Sequence, residues 1–146
     1  MPYTEHVTGV VGLNYRAEPL GQRSKSGGDP GTPLLEALAG DLVRIHLFLP
    51  WSEQVQVFSL ENHRWPLEPR RRGSNLLSST QVGGMEALTL TLSEGAGGAG
   101  RVPGDYLYGD HREPYREAGL WGIFRVHDPR AGTSRLRPLR SSSPVD

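Results

Sequence analysis

The sequence predicts an all-β protein, an antiparallel β-sandwich with little helix. Nineteen glycines and twelve prolines are spread through 146 residues, and both residue types interrupt helices. The apolar segments are short, many of them alternate between apolar and polar residues, and Gly- and Pro-rich connections separate them. About seven short strands joined in this way are typical of two sheets packed face to face.

The first half of the chain contains four candidate elements. Residues 7–15 (VTGVVGLNY) form a first candidate strand, and residues 21–33 form a loop by composition. Residues 34–38 form either one helical turn or extended chain that leads into a turn at Gly40-Asp41. Residues 42–50 alternate, with Val43, Ile45, Leu47 and Leu49 on one face, and residues 53–61 form a second alternating strand.

The second half contains the most regular strand pattern. Residues 64–80 are mostly loop because Pro66 and Pro69 interrupt them. Residues 86–94 alternate, with Leu88, Leu90 and Leu92 on one side, and strands follow at residues 105–111 and 119–127. A short helical turn is expected near residues 112–118.

Length and composition fit one domain over residues 1–129, followed by a loose Arg-, Ser- and Pro-rich tail at 130–146. The formal net charge is zero, so no general attraction to polyanions is expected. The arginines at 70–72 and in the tail lack interleaved aromatic residues, which favours solvated surface over a nucleic-acid partner.

The residue types present exclude several function classes. There is no cysteine, which excludes disulfides and thiolate chemistry. The motifs of serine hydrolases, phosphate-binding loops and His-Glu-x-x-His metalloproteases are absent. No apolar run reaches the ~18 residues of a transmembrane helix, and no signal peptide is visible. We therefore expect no membrane partner and leave the localisation open.

Three segments, in this order, resemble the C-terminal cupredoxin domain of the multicopper oxidase family: TPLLEALAGDLVRIHLFLP, QVFSLENHRWPLEP and GDYLYGDHREPYREAGLWGIFRV. The third segment follows the family spacing Gly-x-Trp-x-x-His-Cys-His-x-x-x-His without a gap from Gly104 to Gly122. The resemblance covers about residues 9–127. It implies a Greek-key sandwich of cupredoxin type.

The same resemblance implies that most copper ligands are replaced. Gln56 and Tyr115 stand where the family has the two blue-copper histidines, and Asp110 stands where it has the cysteine. Three further positions that the family fills with histidines of the trinuclear cluster hold Ser59, Glu61 and Gly109. Among these ligand positions His111 alone is still a histidine, and Leu120 occupies the axial position.

A blue-copper centre needs a thiolate and two imidazoles, so no copper cofactor of that type is expected. The remaining polar side chains suggest a second hypothesis. Glu61, His63, Asp110 and His111 lie in the two segments that meet at the metal end of such a fold. Two imidazoles and two carboxylates suit zinc, manganese or non-blue copper. The alternative is that all four make local hydrogen bonds and ion pairs.

The sequence therefore predicts a copper-silent domain of a multicopper-oxidase-like protein, without oxidase activity of its own. Its expected partners are neighbouring cupredoxin domains or subunits of the same assembly, because the family packs such domains side by side. A divalent-metal-binding module, a repurposed carboxylate and histidine enzyme site, and a stand-alone interaction protein remain as alternatives.

Overall fold

The computed structural model describes residues 11–20 and 28–131. Within these ranges the chain forms nine strands and one short helix. Their bounds are β1 (Leu34–Leu38), β2 (Arg44–Leu49), β3 (Gln56–Leu60), β4 (Trp65–Pro66), β5 (Leu76–Leu77), β6 (Ser79–Val82), β7 (Glu86–Thr91), β8 (Gly104–Asp110), α1 (Glu113–Glu117) and β9 (Trp121–His127).

The strands form one large sheet and two small ones. The large sheet has the order β1-β9-β8-β3-β6, and the small sheets are β2-β7 and β4-β5. The hydrophobic core lies between the large sheet and β2-β7: Phe58 and Phe124 of the large sheet belong to the same buried cluster as Leu90 of β7. The predicted all-β sandwich with little helix is confirmed.

The alternation expected in β2 and β7 gives each strand one face in the core. Ile45 and Leu47 pack against the core, whereas His46 and Phe48 are exposed. Ile45 lies opposite the buried Leu90 in the antiparallel register of the pair. The alternation of apolar and polar residues in the sequence therefore correctly predicted which face of β2 and β7 lies in the core.

The structure decides between the two interpretations of residues 34–38. They form the strand β1, so the helical turn is wrong and the extended alternative is right. β1 pairs with β9 in parallel, which makes the large sheet mixed where antiparallel pairing was expected. This pairing places Leu35 and Ala37 against the core, beside the buried Phe124.

The segment at residues 64–80 contains more strand than predicted. β4, β5 and the first half of β6 lie in it, and Trp65 at its start is 1% exposed. β6 completes the large sheet by pairing with β3. Pro66 is tolerated because β4 belongs to a small two-stranded sheet where few ladder hydrogen bonds are needed.

The chain ends contain expectations that the structure describes only in part. Of the candidate strand at 7–15, residues 7–10 lie outside the described ranges, and Leu13 forms a tight turn with Arg16 where strand was expected. Of the expected tail, residues 132–146 also lie outside them. The predicted helical turn near 112–118 is α1. In the part of the chain that the structure describes, no helix has the length and apolar character needed to cross a bilayer.

Candidate functional site

The strand pair β3–β8 positions the candidate residues. It is antiparallel, with Phe58 opposite Asp110 and Leu60 opposite Tyr108. Gln56 begins β3 and Asp110 ends β8, so both lie at one end of the pair, which we call the open end. The two segments expected to meet in the fold are therefore hydrogen-bonded neighbours.

Asp110 is a buried carboxyl group, 3% exposed. Its Oδ1 accepts hydrogen bonds from the backbone N–H groups of Arg112 (2.8 Å) and Val57 (3.3 Å). Its Oδ2 is shielded from solvent and has no hydrogen-bond partner within the described residues. Burial raises the pKa of Asp110, although the two backbone N–H groups oppose the shift. The protonated form is therefore favoured more than in an exposed aspartate.

Gln56 is the second buried polar side chain at the open end, and it is 7% exposed. Its Nε2 donates to the Ser52 hydroxyl at 3.0 Å, but its Oε1 has no donor in the described part of the chain. Gln56 and Phe58 share the inward face of β3, and Asp110 lies directly opposite Phe58. Two unpartnered oxygen atoms therefore belong to the same face of the sheet.

Gly109 leaves no room for a side chain. Its φ of +144° lies in a region that favours glycine. A Cβ atom built there would collide with the Leu120 carbonyl oxygen and would lie 2.6 Å from the Trp121 Cα. The resemblance gives this position to a copper-ligating histidine, and the backbone of β9 excludes one.

The loop after β8 is held by Arg112. Its guanidinium donates to the Val55 carbonyl oxygen (2.9 Å) and to Gln54 Oε1 (2.6 Å). It also lies 4.7 Å from the centre of the Tyr115 ring, a cation–π distance. Tyr115, to which the resemblance gives the place of a blue-copper histidine, is half-buried and packs against the Arg112 guanidinium.

His63 is buried, at 1% exposed, and both of its ring nitrogens have backbone partners. Nε2 accepts from the Gly97 N–H at 2.9 Å, and Nδ1 lies 2.6 Å from the Glu61 carbonyl oxygen. An acceptor at Nε2 requires the proton on Nδ1, so the neutral Nδ1–H tautomer satisfies both bonds. Burial lowers the pKa of His63. No lone pair is left for a metal ion.

The other two candidates lie on the outer face of the same strands. Glu61 is exposed, and its Oε2 accepts from the Leu107 N–H at 3.1 Å. His111 is also exposed, and its backbone N–H donates to Val57. Leu107 precedes Asp110 by three residues, which is about 10 Å along a strand.

The four predicted metal ligands therefore do not meet at one point. Asp110 faces the core and His111 the outer face, while Glu61 and His63 lie toward the opposite end of the pair. Over residues 11–20 and 28–131, no group of three or more His, Cys, Asp or Glu side chains is arranged to hold a metal ion.

The sequence did not reveal a polar cleft on the outer face of β3 and β8. Its volume is about 420 Å³, and its polar lining consists mainly of Ser59, Glu61, Ser78, Ser79, His111 and Arg116. Alternation within each strand could have grouped Ser59 with Glu61. Ser78, Ser79 and Arg116 come from β6, its lead-in and α1, and only the tertiary structure brings them here.

Several solved structures are similar to this chain. A multicopper oxidase matches at 18% identity with a TM-score of 0.52, the blue copper oxidase from Nitrosomonas europaea at 15% with 0.51, and the multicopper oxidase mgLAC at 16% with 0.53. The chain has a cupredoxin fold. No protein-family model and no curated protein matches it.

The three alignments each cover 66% of this chain and 35%, 31% and 32% of the respective oxidase chains. The chain thus spans about a third of the length of these relatives by fold. Similarity at these identities concerns the fold alone. Whether the chain can hold a blue-copper ion depends on its own residues. There is no cysteine, Gly109 admits no side chain, and Asp110 offers a buried carboxyl group whose Oδ1 already accepts from backbone N–H groups. These residues do not fit a blue-copper ion.

Proposed function

We propose that this chain is a copper-silent cupredoxin domain, a Greek-key sandwich corresponding to the C-terminal domain of a multicopper-oxidase-like protein, with a structural role in domain packing. The observation that carries the proposal is the Gly109-Asp110 pair. Backbone atoms of β9 fill the place of a histidine side chain at Gly109, and a buried carboxyl group replaces the thiolate at Asp110. Neither change is reversed by a side-chain rotation.

The packing role is supported by exposed apolar side chains around β2 and β7. Phe48 is 60% exposed, Trp51 72% and Met85 78%. Their backbone segments are adjacent, because the Met85 N–H donates to the carbonyl oxygen of Leu49, which follows Phe48 and precedes Trp51 by two residues. An exposed apolar cluster of this kind is typical of a contact surface. We infer that a neighbouring cupredoxin domain, or a second subunit of the same assembly, covers it.

Metal silence is tested by incubating the purified chain with Cu²⁺, Zn²⁺ and Mn²⁺ in turn, removing free ion by gel filtration, and measuring the metal content. We expect far less than one ion per chain, no thiolate-to-copper absorption, and a melting temperature that a chelator does not change. One retained ion per chain that His111→Ala releases would replace the proposal with a metal-binding module.

The packing role is tested by sedimentation of the wild-type chain and of Trp51→Ser. Reversible self-association that weakens in the variant supports packing between like subunits. For a neighbouring domain of the same protein, the test is stability: Trp51→Ser should lower the melting temperature of a multidomain form but not of this chain alone. If Trp51→Ser behaves as the wild type both in the isolated chain and in the multidomain form, this surface no longer supports the packing role.

Each of the three alternatives has a specific requirement that can be tested. The metal-binding module at Glu61, His63, Asp110 and His111 requires that His63 exchange its Gly97 hydrogen bond for a metal bond. It also requires the chain to move Asp110 out of the core. A stand-alone interaction protein would bind its partner in the absence of any adjacent cupredoxin domain. An enzyme site in the same loops would need the metal that the first test measures.

A further inference from the structure

The cleft on the outer face of β3 and β8 has hydrogen-bonding groups without intramolecular partners. The imidazole of His111 and the hydroxyls of Ser78 and Ser79 make no hydrogen bond to any described residue, and the Ser59 hydroxyl reaches only the Gly109 carbonyl oxygen at 3.5 Å. Four polar side chains that line one concavity are therefore available to a ligand.

Arg116 supplies a positive charge to the same cleft. Its side chain is 25% exposed, and its ion pair with Glu113 is long, at 3.9 Å. Its Nε is shielded from solvent and has no hydrogen-bond partner in the described part of the chain. Because Nε is closed to solvent, the partly exposed remainder of the Arg116 side chain, which lines the cleft, is what an oxyanion would contact. A guanidinium fork matches the oxygens of a carboxylate or a phosphate.

Glu61 is the one acidic side chain among the described lining residues. Its Oε2 already accepts a hydrogen bond from the Leu107 N–H at 3.1 Å. That oxygen is therefore directed toward the strand β8. Its charge still opposes an anion, so removal of the charge alone should strengthen anion binding.

We propose that this cleft binds a small oxyanion, a carboxylate or phosphoryl group, with Arg116 as its charged anchor and His111, Ser59, Ser78 and Ser79 as hydrogen-bond donors. Guanidinium, imidazole and hydroxyl donors from three separate segments converge on one concavity of about 420 Å³. That volume is within the range of small-molecule sites. The proposal does not depend on metal silence, because it concerns the outer face and not the core side of Asp110.

The first measurement is a titration of the ¹⁵N-labelled chain with inorganic phosphate, and separately with acetate, at constant pH and ionic strength. We expect saturable shifts confined to amides around the cleft, such as those of Ser59, Ser79 and His111. Saturation by phosphate alone identifies a phosphoryl ligand, and saturation by acetate as well identifies a general oxyanion site. Absence of saturation by either anion, or shifts centred on the arginines at 70–72, overturns the proposal.

Charge variants then test the anchor. Arg116→Gln should raise the dissociation constant for phosphate roughly tenfold or more, because a charge-assisted hydrogen bond is lost. Arg71→Gln removes the same charge from an exposed loop, where Arg71 pairs only with Glu68, and should change the constant less than about twofold. Glu61→Gln should tighten binding. Equal weakening in Arg116→Gln and Arg71→Gln would show nonspecific attraction and overturn the proposal.

A second variant distinguishes loss of the binding site from loss of the fold. Ser78 is exposed, so Ser78→Asp places a negative charge in the cleft wall without disturbing the core. It should abolish phosphate binding while the melting temperature stays close to the wild-type value. Ser93→Asp introduces the same charge at another exposed serine and serves as the control. Undiminished binding in Ser78→Asp contradicts the site.

Discussion

The two ends of the strand pair β3–β8 differ in how their polar groups are satisfied. At the closed end, formed by Glu61, His63 and Gly97, both nitrogens of a buried imidazole are paired with the backbone. At the open end, Gln56 and Asp110 each retain a buried oxygen that has no partner among the residues the structure describes. The closed end is therefore fully hydrogen-bonded, whereas the open end buries polar atoms that are only partly satisfied. A buried oxygen without a donor costs free energy, so the two ends contribute differently to the stability of the fold.

The largest loss of stability is expected from substitution of His63 at the closed end. His63→Ala loses two backbone hydrogen bonds and the edge contacts with Tyr106 and Phe124. It should lower the free energy of unfolding by about 4 kcal/mol. The control is His111→Ala, an exposed histidine, which should cost less than about 0.5 kcal/mol. Denaturant unfolding of both variants measures this, and equal losses would erase the distinction between the two ends.

Gly109→Ala should be the next most damaging change. The new Cβ would collide with the Leu120 carbonyl oxygen, and the positive φ adds strain, for a cost of about 3 kcal/mol. Gly73 also has a positive φ but has open space around it. Gly73→Ala should therefore cost only about 1 kcal/mol. If chemical denaturation gives the two variants the same stability, close packing against β9 is not what excludes a side chain at Gly109.

Asp110→Asn should produce a smaller effect that depends on pH. The folded pKa of Asp110 is raised by burial, so the stability it contributes is full below about pH 3.8 and is lost as the pH rises through the folded pKa. The asparagine carboxamide oxygen can still accept from Val57 and Arg112 and carries no charge. The variant should therefore gain stability relative to wild type as the pH rises from 4 to 7. Unfolding at several pH values measures the difference, and a constant difference would mean that folding does not raise the pKa of Asp110.

His63 should give the opposite pH trend. Its folded pKa is lowered, chiefly by burial, so its contribution is full above about pH 6.5 and is lost as the pH falls through the folded pKa. Nitrogen NMR should show the Nδ1–H tautomer and a titration midpoint below that of a free histidine. A midpoint at or above 6.5, or a proton on Nε2 in the neutral form, would contradict the conclusion that His63 is a buried imidazole with both nitrogens hydrogen-bonded.

Sequence alternation predicted much of the fold because it depends on local chemistry. In β2 and β7 the positions of Ile45, Leu47 and Leu90 already place one face in the core. The pattern failed for β6, whose residues STQV are mostly polar and pair with residues 56–59 of β3. Trp65 and Trp51 look equivalent in the sequence, yet one is 1% exposed and the other 72%. Trp65 lies in the short strand β4 and Trp51 in a loop, so the burial of each depends on where its segment is placed against the core.

The candidate site was less predictable because it depends on side-chain direction. Asn62 has a positive φ of 57°, and the turn that it makes leads into the buried His63 and away from the outer face of β3. His111 follows Asp110 directly, so it must face the opposite side of the sheet. From the sequence, two imidazoles and two carboxylates in adjoining segments looked like one ligand set. The backbone directs them to different places.

The sequence by itself determined that thiolate copper chemistry is absent and that short alternating strands form the sandwich. These properties follow from residue type and from the two-residue period of a strand, which need no knowledge of distant contacts. The tertiary structure decided that Gly109 has no space for a side chain, that both ring nitrogens of His63 have hydrogen-bond partners, and that Arg116 lines the same cleft as three serines. Each of these depends on the distance between segments far apart in the chain, and that distance is fixed only when the core packs.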